Sequence, residues 1–327
     1  AASAAIYGAR AANGVILITT KQGKKGKANI SYDFYYGWQE IPKTVTPLNA
    51  QQYVELMKET GLTDEEFAAA VPMYDQIQSG EWTGTNWLEA IQKEKAPQQS
   101  HTVSITGGSD RSTYSIGLSY LSQQPTIGAE VEDFTQKYER YTARFNSEHV
   151  IVRHNDRDIL KFGETLTMAY VNSTGMNQGT GNMWWNDVRN ALSASPLFPV
   201  YEEPGKFGWP VLLDSDETNP VAELYYMRTF VRSRNYNARG NMYLILEPIK
   251  NLTLKSTFGY AYNGWNSRQY DPVYQLNEKT YSHTDKVTQG AGNGLQWSWD
   301  NTIAYDWTIN KNKFNFLVGQ SIEKWGI

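Results

Sequence analysis

The chain has 327 residues, a formal net charge of -4 and no cysteine. The length admits a large core or one big barrel, the mild acidity leaves no electrostatic footprint for nucleic acid, and the missing thiols exclude a disulfide scaffold, a cysteine nucleophile and a cysteine-based zinc site. Aromatic residues are abundant, with 22 Tyr, 11 Trp and 11 Phe, yet the mean hydropathy is only -0.57. Both a soluble β-sandwich and a barrel with lipid outside and water inside give that mixture, and composition alone favours the sandwich.

In chain order, Ala-rich residues 1 to 12 lead through Asn13-Gly14, a turn signal, into Val15-Ile16-Leu17-Ile18, which reads as a strand buried on both faces. No apolar run approaches the 18 residues of a membrane helix, so a membrane protein of this sequence has to be a closed barrel. Ala1 to Ile6 lacks the basic start of a signal peptide, so an exported form is expected to carry its leader upstream. Lys21 to Lys27 is a basic, solvated linker.

From Asn29 onward apolar residues recur at every second position. The first run is Ile30, Tyr32, Phe34, Tyr36 and Trp38. The pattern returns around Val103, Tyr114 to Tyr120, Tyr141 to Phe145, Phe162 to Tyr170, Tyr236 to Leu246, Leu252 to Tyr262, Leu295 to Trp307 and Phe314 to Ile322, about nine strands in all. Three of them read as about 11 residues, the length that crosses hydrocarbon when tilted. Short polar connections at 107–111, 153–158, 248–251 and 310–313 alternate with long ones at 40–100, 122–136, 173–232 and 266–291. A sandwich has no reason to place a long loop at every second connection, whereas a transmembrane barrel has tight turns at one end and long loops at the other. This rhythm overturns the preference from composition. The first long connection should hold a helix over Asn49 to Glu59 with Tyr53, Leu56 and Met57 on one face. A second should open at the capping box Thr63-Asp64-Glu65-Glu66 and be limited by Pro72, and a third should be capped by Asn86 and carry Trp87, Leu88 and Ile91.

Catalytic chemistry is not legible. The four histidines lack metal-ligand spacing, no nucleophile elbow or phosphate loop occurs, and no cofactor is called for. The acidic stretch Asp214 to Glu217 lacks the spacing and glycine of an EF-hand and reads as a solvated loop. The third long connection is richer. Trp184, Trp185, Asn186 and Arg189 crowd one stretch and Trp209 follows; indole faces stack on sugar rings or apolar peptide groups, while amide and guanidinium groups orient polar substituents. Packing of the loop on itself is the plainer alternative. Trp297, Trp299, Tyr305 and Trp307 share one strand face and read as interfacial anchors.

The segment Ala1 to Lys21 resembles the end of the plug domain in SusC/RagA-family TonB-dependent receptors. So do Ile30-Ser31-Tyr32-Asp33 with Tyr36-Gly37, Leu48 to Tyr53, Asn86-Trp87, His101 to Gly108, Tyr114 to Leu121 and Asn219-Pro220-Val221-Ala222. The resemblance implies an all-β membrane protein, a transmembrane antiparallel β-barrel of about 22 strands when complete with about nine here. Residues 1–22 would end the plug, 23–28 would be the linker and 29–327 the first part of the barrel. It further implies active import, with no enzyme activity, of a glycan or oligopeptide across the cell outer membrane. The partners implied are a SusD-like surface lipoprotein serving as lid, the TonB complex and outer-membrane lipid, in a dimer of transporter–lipoprotein pairs. A passive porin and a soluble β-rich glycan-binding protein are the alternatives.

Overall fold

The structure, a computed structural model, describes residues 23–42, 45–128, 136–175, 186–211, 217–228 and 230–326. Following the chain, β1 (Gly26–Gln39) leads into α1 (Ala50–Glu59), α2 (Asp64–Ala70), α3 (Tyr74–Ser79) and α4 (Trp87–Ile91). Then come β2 (Ala96–Gly108), β3 (Ser112–Gln123), β4 (Lys137–His154) and β5 (Arg157–Thr174), followed by α5 (Asp187–Ser193), a hairpin of β6 (Tyr201–Glu203) and β7 (Lys206–Phe207), and α6 (Pro220–Arg228). The chain continues as β8 (Val231–Leu246), β9 (Leu252–Asp271), a second small hairpin of β10 (Tyr274–Gln275) and β11 (Tyr281–Ser282), β12 (Lys286–Ile309) and β13 (Asn312–Lys324). Among the described residues no helix is long and apolar enough to cross a membrane.

Nine of these strands form one antiparallel sheet in the order β1-β2-β3-β4-β5-β8-β9-β12-β13, each beside its neighbour in the meander. The tight turns fall where the sequence places them. Asn155 and Asp156, both at positive φ (48° and 59°), make the two-residue link between β4 and β5, and Asn310 (φ 54°) serves the link from β12 to β13. Asn and Asp tolerate this left-handed region, and such turns match the twist of paired strands. Every tight link lies at one end of the sheet and every helix or small hairpin at the other.

The two faces differ because side chains alternate along a strand and in-register partners share a face. One row runs Ile30, Ile105, Ile116, Phe145, Leu166 through β1 to β5, and another runs Leu254, Ile303, Val318 through β9, β12 and β13. The row behind the first reads Ser104, Gly117, Arg144, Thr167, Arg239. The apolar face is uncovered, with Ile30 68%, Met168 49% and Ile303 51% exposed. Toward its loop end Tyr120, Tyr141, Tyr170 and Tyr236 stand in register, their successive ring centroids 4.9, 6.0 and 5.2 Å apart, and His101 extends the belt. Trp299, Tyr305 and Trp307 are exposed on this same face, and Trp307 packs on Phe314 at 6.0 Å.

Several expectations change. The sheet is open, with β1 and β13 as edges, so the described residues do not close a barrel. Strands are longer than 11 residues: β5 has 18, β9 has 20 and β12 has 24, because pairing runs on past the apolar band into polar ends. β1 starts at Gly26, inside the stretch read as linker. The proposed plug end, residues 1–22, lies outside the described residues.

Candidate functional site

The helices at the loop end are built by their caps. Asn49 accepts the Gln52 N–H at 2.9 Å and its own N–H is taken by the Gln52 side chain at 3.1 Å; Thr63 and Glu66 repeat the exchange at the start of α2. α2 stops at Ala70, before Pro72, as expected. The buried face of α1 differs from the sequence reading: Ala50 and Val54 are buried, Tyr53 and Met57 flank them, and Leu56 is exposed. Within the first connection the Asp64 carboxyl is lowered from its ordinary value by Lys58, which bonds to it directly, and by the Tyr74 hydroxyl.

These connections pack into one outer body. Asn86 caps α4, and the following Trp87 is 2% exposed, meets Phe198 in a tilted ring contact at 4.8 Å and donates its indole N–H to the Ser195 carbonyl at 2.8 Å. Leu197 joins the core under α1 to α3, while its neighbour Phe198 joins the core of α4 to α6. Residues 195–198 therefore wedge one long connection into another. The connection after β3 is tied in by the Gly128 N–H to the Ile91 carbonyl at 2.8 Å, and the connection after β9 by Asn277, whose amide donates to the Glu217 carbonyl at 2.6 Å. Asn219 is 1% exposed. Its amide donates to the carbonyls of Val200 (3.0 Å) and Gly208 (3.1 Å), and its oxygen accepts the N–H groups of Val221 (3.1 Å) and Ala222 (3.2 Å), so one side chain caps α6 and clamps the β6–β7 hairpin. Each buried polar group so satisfied avoids a cost of about 1–3 kcal/mol.

The side chains expected to bind substrate are only partly assembled. Trp184 and Trp185 lie outside the described residues, as do Asp214 to Asp216 of the acidic stretch; the Glu217 carboxylate accepts the Ser195 N–H. Asn186 is an N-cap, its oxygen taking the Arg189 N–H at 2.9 Å, so its amide is bound into α5 from the start. Arg189 projects from the exposed side of α5. Trp209 follows the β6–β7 hairpin, is 38% exposed and is held through its backbone N–H to Glu202 at 3.1 Å.

What the sequence reading missed is a continuous group of rings. Tyr201 faces Phe207 at 5.0 Å; Phe207 contacts Tyr225 and Tyr226 of α6 at 5.6 and 5.8 Å; Tyr226 reaches Tyr274 at 5.7 Å. Phe230 links Tyr225 to Tyr270, both at 5.6 Å. None of these rings is fully buried. Partial burial pushes the hydroxyls of Tyr201, Tyr226 and Tyr274 above their ordinary value, so they stay protonated donors at neutral pH. Beneath them the Glu223 carboxyl is raised, first by burial, while Thr218 (3.1 Å) and Asn190 (2.8 Å) donate to it. The adjacent Tyr225-Tyr226 pair was the available signal. The other rings come from segments as far apart as Tyr201 and Tyr274 and meet only in the fold. Such a surface of aromatic faces edged by hydroxyls, amides and guanidinium groups recognises ligands that combine apolar faces with polar substituents.

No family model matches the chain. Over 99% of its length it is 26% identical to a TonB-dependent receptor of Formosa agariphila, and over 98% it is 24% identical to the TonB-dependent receptor SusC of Bacteroides thetaiotaomicron. The chain spans only 30% and 31% of those proteins. Among solved structures, the RagAB peptide importer in its open-open state superposes with a TM-score of 0.71 over 100% of this chain and 39% of that one. The RagAB peptide transporter does so at 0.74 over 97% and 37%, both at 20% sequence identity.

Proposed function

We infer that this chain, a stretch of a SusC/RagA-type TonB-dependent receptor, supplies part of the wall and outer mouth of an importer for a large nutrient in the outer membrane. The observation that carries the reading is the sheet itself: a nine-stranded meander with one uncovered apolar face, one polar face, and all its folded connections at one end. An exposed apolar surface of this extent has no place in water and fits hydrocarbon. The polar face then lines the lumen, the tight turns face the periplasm, and the outer body faces the medium.

On this reading the ring group of α6 and the hairpins, together with Trp184, Trp185, Asn186, Arg189 and Trp209, contacts a glycan or oligopeptide held at the mouth. A SusD-like lipoprotein closes over it, and TonB, pulling on the plug, opens the path inward. Two such transporter–lipoprotein pairs make the assembly. Asn186 acts there by orienting α5, and Arg189 is the better placed of the two for direct contact. The test is uptake by cells carrying the full receptor. Replacing Tyr226 and Tyr274 with Ala should cut uptake at least about tenfold, because each buried aromatic contact is worth about 1 kcal/mol or more, while the receptor still reaches the outer membrane. Deleting TonB should abolish uptake. Import that persists without TonB would establish the passive porin instead.

A further inference from the structure

The apolar face is not uniform. Just below the tyrosine belt lies a hollow of about 660 Å³, floored by Ala143, Met168 and Ala238 and walled by Leu118, Tyr141 and Tyr262. Its floor is low because Ala143 and Ala238, the in-register neighbours on either side of Met168, carry only a methyl group, while Tyr141 and Tyr262 rise at its edges. Its volume is that of a ligand pocket.

Above the belt, on the same face, stands a group of cations. Arg234 is two residues beyond Tyr236, about 7 Å further along the strand. Arg232 follows at the next same-face position and pairs directly with Arg268 across β8 and β9. Like charges directly opposite one another destabilise a sheet. No ion pair of Arg232, Arg234 or Arg268 is found among the described residues. The Arg234 Nε is buried without a hydrogen-bond partner, and Arg232 and Arg268 are exposed. The one carboxylate in the row, Glu139, is already taken by Lys137 (2.7 Å), the Tyr120 hydroxyl (3.0 Å) and Asn172 (3.4 Å).

We propose that this face docks an acylated lipid with a net-anionic phosphate head, its chains in the hollow and its phosphate among Arg232, Arg234 and Arg268. The two parts stand at the separation a lipid requires: an apolar hollow, a belt of amphipathic rings at the boundary, and cations one step outward where head groups lie. An anion between Arg232 and Arg268 turns a repulsive pair into two charge-assisted contacts and gives the Arg234 guanidinium a partner. The site sits on the lipid-facing wall, and its outer end borders the Phe230–Tyr270 end of the ring group.

This rests on the membrane reading, and one experiment separates the two. The intact receptor is purified in detergent, inserted into bilayers to establish that it is a membrane protein, and then analysed by native mass spectrometry with added phosphatidylglycerol or phosphatidylcholine. A receptor that stays soluble and never inserts overturns the membrane reading. For an inserted receptor, retention of phosphatidylglycerol should exceed that of phosphatidylcholine by roughly tenfold or more, the size expected for a few cations acting on one head group. The combined variant Arg232→Gln, Arg234→Gln, Arg268→Gln should lose that excess and leave phosphatidylcholine unchanged, and Ala238→Trp, which fills the hollow, should reduce both lipids. Equal retention of the two lipids by the unaltered receptor overturns the proposal without recourse to any variant. Displacement of phosphatidylglycerol by glycerol phosphate at equal concentration also overturns it, since that outcome describes a site for the head alone.

Discussion

Glu223 sits where α5 and α6 meet, and its carboxyl is shared between the Thr218 hydroxyl and the Asn190 amide. Burial raises its pKa above the ordinary 4.5, Asp187 adds to the rise, and Arg228 opposes it while itself engaged with Asp187 at 3.2 Å. A carboxyl with a raised folded-state value binds its proton more tightly folded than unfolded. The stability this contributes is complete below the unfolded value and is lost as pH rises through the folded one. Amide exchange in residues 217–228 of the full receptor should therefore slow as pH falls from neutral toward the ordinary carboxylate range, after correction for the intrinsic rate. Glu223→Gln should flatten that dependence, because it keeps an acceptor and removes the charge. An unchanged profile in the variant would assign the titration to another group. Asp64 works in the opposite sense. Its lowered value makes its contribution one that is present at neutral pH and lost in acid, so the α1–α3 segment should not share the acid stabilisation of α6.

At the scale of elements, the polar face of the sheet carries a close fit that depends on one glycine. Gly163 of β5 pairs with Tyr243 of β8, whose ring lies across the glycine where any Cβ would collide with it, and whose hydroxyl donates to Glu148 of β4 at 2.9 Å. One side chain thus ties three consecutive strands. Gly163→Ala should displace the ring, break the bond to Glu148 and cost about 1–3 kcal/mol, as overpacking does. Tyr243→Phe keeps the ring and should cost only about 1 kcal/mol. The readout is the temperature at which the compact electrophoretic band of the intact receptor gives way to the unfolded one, and equal temperatures for Gly163→Ala and the unaltered receptor would refute the fit. Elements of this kind also mark what the sequence disclosed. Strands such as Leu252 to Tyr262 were readable because a period of two persists far longer than chance permits, and α1, α2 and α4 because Asn49, Thr63 and Asn86 are strong caps. α3, α5 and α6 were not read: they are six, seven and nine residues long, too short to show a period. Asn219 before Pro220 was visible as a motif, but its clamp on Val200 and Gly208 was not, since nothing local announces those partners. Of the side chains read as substrate-binding, Trp209 and Arg189 lie exposed on the outer body. Asn186 illustrates the limit, because an Asn before a helix and an Asn before a ligand look alike in one dimension.

Across the whole molecule, the decisive quantity is the number of backbone groups left without partners. β1 pairs only with β2, and β13 only with β12, so each edge presents a row of N–H and C=O groups outward. The apolar face beside those edges calls for hydrocarbon, and in hydrocarbon each unsatisfied backbone group costs several kcal/mol. A sheet can satisfy both demands only by pairing its edges, either with further strands of a larger receptor or with another copy of itself. The 327-residue polypeptide produced alone and refolded in detergent should therefore form mixed oligomers. It should show no single compact band that shifts on heating, whereas the receptor proposed above, if its further strands pair with β1 and β13, should show one. The exposed Ile30 and Val318, 68% and 70% accessible beside the two edges, make self-association the expected fate. Introducing Pro for Phe316, on the free edge strand, should reduce oligomerisation of the isolated polypeptide without conferring a compact band, since it removes a donor but closes nothing. A monodisperse, heat-shifting monomer of the isolated chain would mean that these nine strands satisfy their own edges, and the wall would then have to be a small closed barrel in place of an arc of a large one.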